Sequence, residues 1–270
     1  MIGFLAARAI PGVESIDADA YRRSIEVGDG DAGFEVRPDA AETCLHLRVT
    51  ASRPIDPQPV AARVRRIFDL DCDVQPIARL FARDARLGTL VASRPGLRVP
   101  GAWNPFEMAV RAILGQQVSV RAASTLSGRL VHEFGAPAEV ALRGITHHFP
   151  AASRLADADV QRIGIPGSRA ETIRGLARAV ADGSLSLDGA GDLNADVAAL
   201  VRIKGIGPWT AQYIAMRALG RRDAFPAGDL GIRKALARKG RKPTEAQVVR
   251  IAESWRPYRS YAAMHLWNSL

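Results

Sequence analysis

Leu200-Val201-Arg202-Ile203-Lys204-Gly205-Ile206-Gly207-Pro208-Trp209-Thr210-Ala211 is the stretch on which the reading of this 270-residue chain turns. An apolar helical pattern ends here, Gly205 and Gly207 permit a tight hairpin, and Pro208 sits where a first-turn proline suits a new helix. Such a hairpin presents backbone N–H groups at a helix N-terminus, a ready site for a phosphate held without regard to base sequence. Gly-x-Gly-Pro by itself favours an ordinary Gly-stopped, Pro-started helical connection. The flanking apolar pattern and the basic surroundings favour the phosphate site.

Those surroundings are unusual. From Val201 to Leu270 the chain carries 14 Lys or Arg against 4 Asp or Glu, so the formal charge of +9 lies wholly in the last quarter. A basic excess confined to one region is the footprint of a polyanion partner, or else a solvated face kept for solubility. Twenty-two positions beyond Gly207 stands Asp229, in Phe225-Pro226-Ala227-Gly228-Asp229-Leu230-Gly231-Ile232-Arg233, where a loop leads into a helix. An Asp in that place is most often an N-cap, and only its position after a phosphate-gripping hairpin marks Asp229 as a candidate catalytic carboxylate. Trp209 and Tyr213, four apart, put two rings on one helical face, which on spacing alone reads as core packing.

Outward from this centre the helical period dominates from about Gln75 to the end. Helices are expected at Phe106 to Leu114 after Asn104-Pro105, Val118 to Phe134, Arg169 to Asp182, Ala195 to Arg202, Pro208 to Leu219, Asp229 to Lys239 and Glu245 to Trp255. The first seventy residues differ. Phe34 to Arg37 and Cys44 to Val49 alternate like half-buried antiparallel strands, Gly28 to Asp31 reads as a connecting loop, and Val60, Val64 and Ile67 have helical spacing. The expected fold is α+β: a small antiparallel sheet-and-helix domain over 1–74, then an all-helical body over 75–270. His147-His148 reads as an isolated surface pair in a loop, and Arg63-Val64-Arg65-Arg66 as the exposed face of a helix. Only Cys44 and Cys72 are present, too few for a disulfide framework or a four-cysteine iron-sulfur or zinc site. The apolar opening Met1 to Pro11 has no basic leader and no run reaches the ~20 residues of a membrane span, so a cytoplasmic, nucleoid-associated protein is expected.

The hairpin followed by a Gly/Pro loop and an Asp resembles the helix-hairpin-helix DNA glycosylase superfamily. Gly3-Phe4-Leu5-Ala6-Ala7-Arg8-Ala9, Arg111-Ala112-Ile113-Leu114-Gly115-Gln116-Gln117-Val118-Ser119-Val120 and Arg259-Ser260-Tyr261-Ala262-Ala263-Met264-His265-Leu266-Trp267 are similar to its AlkA type, the 3-methyladenine DNA glycosylase II family, over almost the whole chain. The resemblance implies an N-terminal domain resembling half of a TATA-binding protein and a helical body with the active site in a cleft. It implies Asp229 as the catalytic carboxylate and Phe4, Trp209, Tyr213 and Trp267 as the aromatic lining of a base pocket. It assigns DNA contacts to Gln116, Gln117, Gly205, Gly207 and Thr210. No cofactor is required, although a structural monovalent cation can sit on the backbone carbonyls of Val201, Ile203 and Ile206. The partner it implies is double-stranded DNA containing alkylated bases, met by a monomer without an iron-sulfur cluster.

A base alkylated at a ring nitrogen carries positive charge and leaves readily, so an anion and a water suffice for hydrolysis. Trp209 stands where bifunctional relatives place a Schiff-base lysine, so hydrolysis without strand cleavage is expected. Gln117 departs from the apolar wedge some members carry, and Gln116 and Gln117 are expected to hydrogen-bond an orphaned base instead. Met1 falls just before Phe4, so the family's first strand is expected to be missing, the chain being trimmed or cut from a fusion with another alkylation-repair module. Two rival readings remain: a catalytically inactive helix-hairpin-helix DNA-binding protein, and a glycosylase for deaminated bases such as hypoxanthine.

Overall fold

The computed structural model describes residues 1–17, 20–28, 30–238 and 240–270. After a one-turn helix α1 (Ile2–Ala6), four strands, β1 (Glu14–Asp17), β2 (Ala20–Val27), β3 (Gly30–Asp39) and β4 (Cys44–Ala51), pair antiparallel in chain order. Tyr21 faces Val36 across β2 and β3, and Phe34 faces Val49 across β3 and β4. The edge strand β4 alternates between exposed and half-buried positions from Cys44 to Val49, as its sequence predicts. Strands β1 and β2 have no such alternation, for a physical reason. Glu14, Arg22 and Arg23 are buried, and Glu14 accepts hydrogen bonds from Ile10 N–H (2.9 Å), Tyr21 Oη (2.7 Å) and Arg23 Nη1 (3.2 Å). Arg111 Nη1 lies 3.4 Å from the same carboxylate. Burial works to raise the pKa of Glu14, but Arg111, Arg23, Tyr21 and the Ile10 amide outweigh it and hold the carboxyl below its usual range.

The turn between β2 and β3 is shorter than the predicted loop, because Gly30 and Asp31 already belong to the strand. Gly28 takes φ +58° there, and Asp29 lies outside the described residues. Helix α2 (Gln58–Ile67) buries Val60, Val64 and Ile67 as their spacing requires, with Arg63, Arg65 and Arg66 outward.

The remaining chain is mostly helical: α3 (Gln75–Ala82), α4 (Gly88–Ser93), α5 (Pro105–Leu114), α6 (Val120–Phe134), α7 (Ala152–Ala156), α8 (Gly167–Ala181), α9 (Leu193–Val201), α10 (Pro208–Arg217), α11 (Leu230–Ala235), α12 (Glu245–Ala252) and α13 (Arg259–Trp267). Local chemistry sets the starts. Asn104 Oδ1 accepts from Phe106 and Glu107 N–H at 2.8 and 3.2 Å, Ser119 caps Ala122, Asp192 caps Ala195, and Thr244 with Gln247 forms a capping box. Helix α6 therefore begins at Val120 rather than Val118, since Ser119 is the cap and Gln117, at φ +57°, cannot be helical. Helix α11 ends at Ala235, well short of the expected Lys239, because Arg238 and Arg241 exchange backbone hydrogen bonds (3.1 and 3.0 Å) in a tight turn. Lys239 itself lies outside the described residues.

The chain forms two compact units, Met1–Val64 with Ala109–Leu185, and Arg65–Met108 with Ser186–Leu270. In the first, the segment from Gly135 to Pro150 is not helical. Its Ile145 bridges Gly12, and His148 is buried with Nε2 3.0 Å from Asp31 Oδ1. The expectation of a surface histidine pair is thereby corrected: His148 is an internal partner of Asp31, and His147 packs edge-on against His132. In the second unit, Trp255 donates to Asp84 Oδ2 (2.9 Å), and the buried Cys72 sits 3.1 Å from the Tyr261 hydroxyl, which donates to Asp69 (2.8 Å). Cys44, on β4, is exposed. Among the described residues no helix is long and apolar enough to cross a membrane.

Candidate active site

Asp229 caps α11, as an Asp entering a helix should, and it does more. Its Oδ1 accepts the Ile232 backbone N–H at 2.9 Å and the Trp267 indole N–H at 2.8 Å, while Oδ2 accepts the Trp209 indole N–H at 3.1 Å. Three N–H donors from three elements fix the carboxylate plane. Trp209 lies at the start of α10, and Trp267 closes α13. Two further observations show how closely the surroundings fit. A methyl group at Gly231 would stand 3.0 Å from Asp229 Oδ1 and 3.2 Å from Trp267, and one at Gly228 would stand 3.2 Å from the Glu245 carboxylate. Bare backbone on both sides of Asp229 is what lets the two walls approach.

The rings form a connected lining. Trp209 and Tyr213 stack at 5.4 Å with an 8° interplanar angle, and Tyr213 meets Trp267 at 6.2 Å and 60°. All three are half-buried rather than sealed in the core, which departs from the plain packing that their spacing allows. Sequence reading missed Arg217. Its Nη1 donates to the Tyr213 hydroxyl at 3.0 Å and its Nε to the Pro100 carbonyl at 2.5 Å, so it anchors the wall from behind. The signal was present: Trp209, Tyr213 and Arg217 recur every four residues on one face.

Helix α13 is oriented by its own start. Arg259 pairs with Asp223 through Nε–Oδ1 (2.7 Å) and Nη2–Oδ2 (3.0 Å), and Ser260 N–H donates to the Arg222 carbonyl (3.0 Å). The segment carrying Asp223 runs on to Asp229, so one short helix ties the loop that delivers the carboxylate to the indole that grips it.

The hairpin from α9 to α10 has the predicted form. Gly205 sits at φ +93°, Gly207 is the extended N-cap residue (φ −86°, ψ 175°), and Pro208 opens α10. The first backbone bond into α10 is Ala211 N–H to Gly207 C=O (3.0 Å), so the N–H groups of Trp209 and Thr210 precede the intrahelical ladder. At the opposite end of the hairpin, the Ile203 carbonyl accepts the Ile206 N–H at 3.0 Å, and Val201 is the last residue of α9.

The second unit thus brings together Asp229, Trp209, Tyr213 and Trp267, and carries the hairpin residues Gly205, Gly207 and Thr210. Phe4, Gln116 and Gln117 belong to the first unit. There Phe4 lies on α1 with the Arg8 guanidinium 3.8 Å over its ring. The Gln116 carbonyl accepts from Arg169 Nη2 (2.8 Å), and Gln117 is exposed at positive φ between α5 and α6, followed by the exposed Val118 and Val120.

Residues 1–104 match the model of the AlkA N-terminal domain, and residues 110–257 match that of the HhH-GPD superfamily base excision DNA repair protein. This chain belongs to the HhH-GPD superfamily. A probable bifunctional transcriptional activator/DNA repair enzyme AlkA of Mycobacterium tuberculosis (strain CDC 1551 / Oshkosh) is 40% identical over the whole chain, which spans 54% of that protein's length. DNA-3-methyladenine glycosylase 2 of Escherichia coli (strain K12) is 39% identical over 99% of the chain and 92% of its own. In structure, a 3-methyladenine DNA-glycosylase from Archaeoglobus fulgidus superposes with a TM-score of 0.84 over 98% of this chain and 92% of that one, at 23% identity. The four-stranded sheet with its helices followed by a helical HhH-GPD body is therefore the family architecture.

Proposed function

We propose that this chain is a base-excision DNA glycosylase that flips alkylated bases such as 3-methyladenine and 7-methylguanine out of duplex DNA and hydrolyses their glycosidic bond through Asp229. The observation that carries the proposal is a carboxylate with its plane held by two indole N–H groups and a backbone N–H, bordered by half-buried rings. A cationic base stacks on such rings by cation–π attraction, and an extruded base is what they can reach. As the bond from sugar C1′ to the ring nitrogen breaks, its electron pair leaves with the base, which becomes neutral. Positive charge develops on the sugar, and the fixed Asp229 carboxylate stabilises it without having to reorganise. Water then adds to C1′ and gives up its proton, with Asp229 as the acceptor at hand.

The proposal includes Phe4 as a further ring of the base pocket and Gln116 and Gln117 as groups that fill or hydrogen-bond the gap left by the flipped base. The hairpin amides at Gly205, Gly207 and Thr210 hold phosphate, and a monovalent cation on the carbonyls of Val201, Ile203 and Ile206 steadies the turn. With Trp209 where an attacking lysine would stand, no Schiff base forms and the strand is left intact.

The test is release of free base from methylated duplex DNA by the wild type and by Asp229→Asn, with strand breaks scored before and after alkali. Asn caps a helix about as well as Asp, so the variant should fold. Base release by the wild type alone, with breaks only after alkali, is the expected result. Binding without release from either protein would overturn the proposal in favour of a DNA-binding role.

A further inference from the structure

Beyond α11 the chain doubles back through Arg238, Gly240, Arg241 and Lys242 before α12 begins. Arg238 and Arg241 close the turn by exchanging backbone bonds at 3.1 and 3.0 Å, with Gly240 at φ +75°. Both ends of the turn are tied down. Arg233 Nε donates to the Pro243 carbonyl at 2.8 Å, and the Glu245 carboxylate lies against Gly228, next to Asp229. The side chains of Arg238, Arg241 and Lys242 are exposed, and among the described residues none has an ion pair. That sets them apart from Arg221, Arg256 and Arg259 of the same unit, which are paired with Asp196 or Asp223. Like charges crowded into a tight turn repel one another, a cost that an anionic partner removes.

We propose that Arg238, Arg241 and Lys242 form a second phosphate-gripping element, which holds the DNA backbone near the flipped nucleotide independently of the helical hairpin. This rests on the reading of the chain as a DNA glycosylase. The placement supplies the partner: α11 has six residues, so it spans about 9 Å, and the turn at its far end stands within a few nucleotides' reach of the Asp229 carboxylate. Basic side chains on phosphates read charge and not sequence, so these contacts strengthen binding to any duplex alike.

The experiment is the salt dependence of binding to a fluorescein-labelled 20-base-pair duplex, undamaged or carrying a tetrahydrofuran abasic analogue. Wild type, Arg238→Gln/Arg241→Gln/Lys242→Gln and Arg238→Lys/Arg241→Lys are compared. If two or three phosphate contacts are lost, the slope of log K against log salt becomes shallower by about 1.8 to 2.7, so that between 50 and 200 mM salt the glutamine variant loses about 10- to 40-fold less affinity than the wild type. The lysine variant should keep the wild-type slope on both duplexes. An unchanged slope in the glutamine variant overturns the proposal, and so does an equal loss in the lysine variant, which would mark a structural role. Because binding is read without chemistry, a wild type that binds but releases no alkylated base would sink the glycosylase reading and leave this measurement standing.

Discussion

A single carboxylate here both caps a helix and receives two indoles. Asp229 is the cap of α11 through Oδ1, and each of its oxygens also accepts an indole N–H, Oδ1 from Trp267 and Oδ2 from Trp209. The cap is borne out as geometry, and the catalytic role is the one that base release by Asp229→Asn tests. What spacing could not reveal is that Trp209 and Trp267 reach Asp229 through their N–H edges, because a contact between residues 38 positions apart depends on where α13 is anchored. Trp267→Phe and Trp209→Phe keep a ring but lose the donor. Each variant should cut single-turnover base release about 10- to 100-fold, the kinetic equivalent of one hydrogen bond to a charged group, with a smaller change in DNA affinity. A loss of affinity with an unchanged rate would show that the rings bind and the N–H groups are idle.

At the scale of elements, the hairpin was legible because glycine and proline carry their conformations with them. Gly205 needs its positive φ, whereas Gly207 is extended and a methyl group there meets nothing within 4 Å. Gly205→Ala should therefore destabilise the fold by about 1 kcal/mol or more in urea unfolding. Gly207→Ala should leave the unfolding midpoint within experimental error while weakening duplex binding, because the added methyl projects where a phosphate would sit. Equal stability losses in the two would contradict this division. The strands β1 and β2 were illegible for the opposite reason: their inward positions are charged, and only three-dimensional pairing of Glu14 with Arg23 and Arg111 makes them tolerable. Glu14→Gln should cost about 3 kcal/mol in equilibrium unfolding, since it removes the buried negative charge that the buried Arg23 and the half-buried Arg111 both face. The termination of α11 was equally hidden, because the helical period continues past the point where the backbone turns.

For the molecule as a whole, acid is the expected point of weakness. His265, packed against Phe81, is pushed down to about 4 by burial, helped by Arg94. A histidine whose folded pKa lies below its ordinary 6.5 stays neutral in the fold and charges on unfolding, so its contribution is complete above pH 6.5 and is lost as the pH falls toward 4. Glu14 adds a second loss below its ordinary 4.5, as pH falls through its depressed folded pKa. Urea unfolding between pH 7 and 4 should show stability falling, with His265 responsible for on the order of 2 kcal/mol after screening. His265→Phe should flatten the upper part of that slope, and an unchanged slope would assign the effect to other groups. A different consequence follows from the weave of the chain. Each compact unit is made of two stretches separated by a stretch of the other, 1–64 and 109–185 alternating with 65–108 and 186–270. No single scission can release either one free of part of the other. During synthesis the first unit waits for residue 185 and the second for residue 270 to leave the ribosome, so neither core can close on its own first stretch alone.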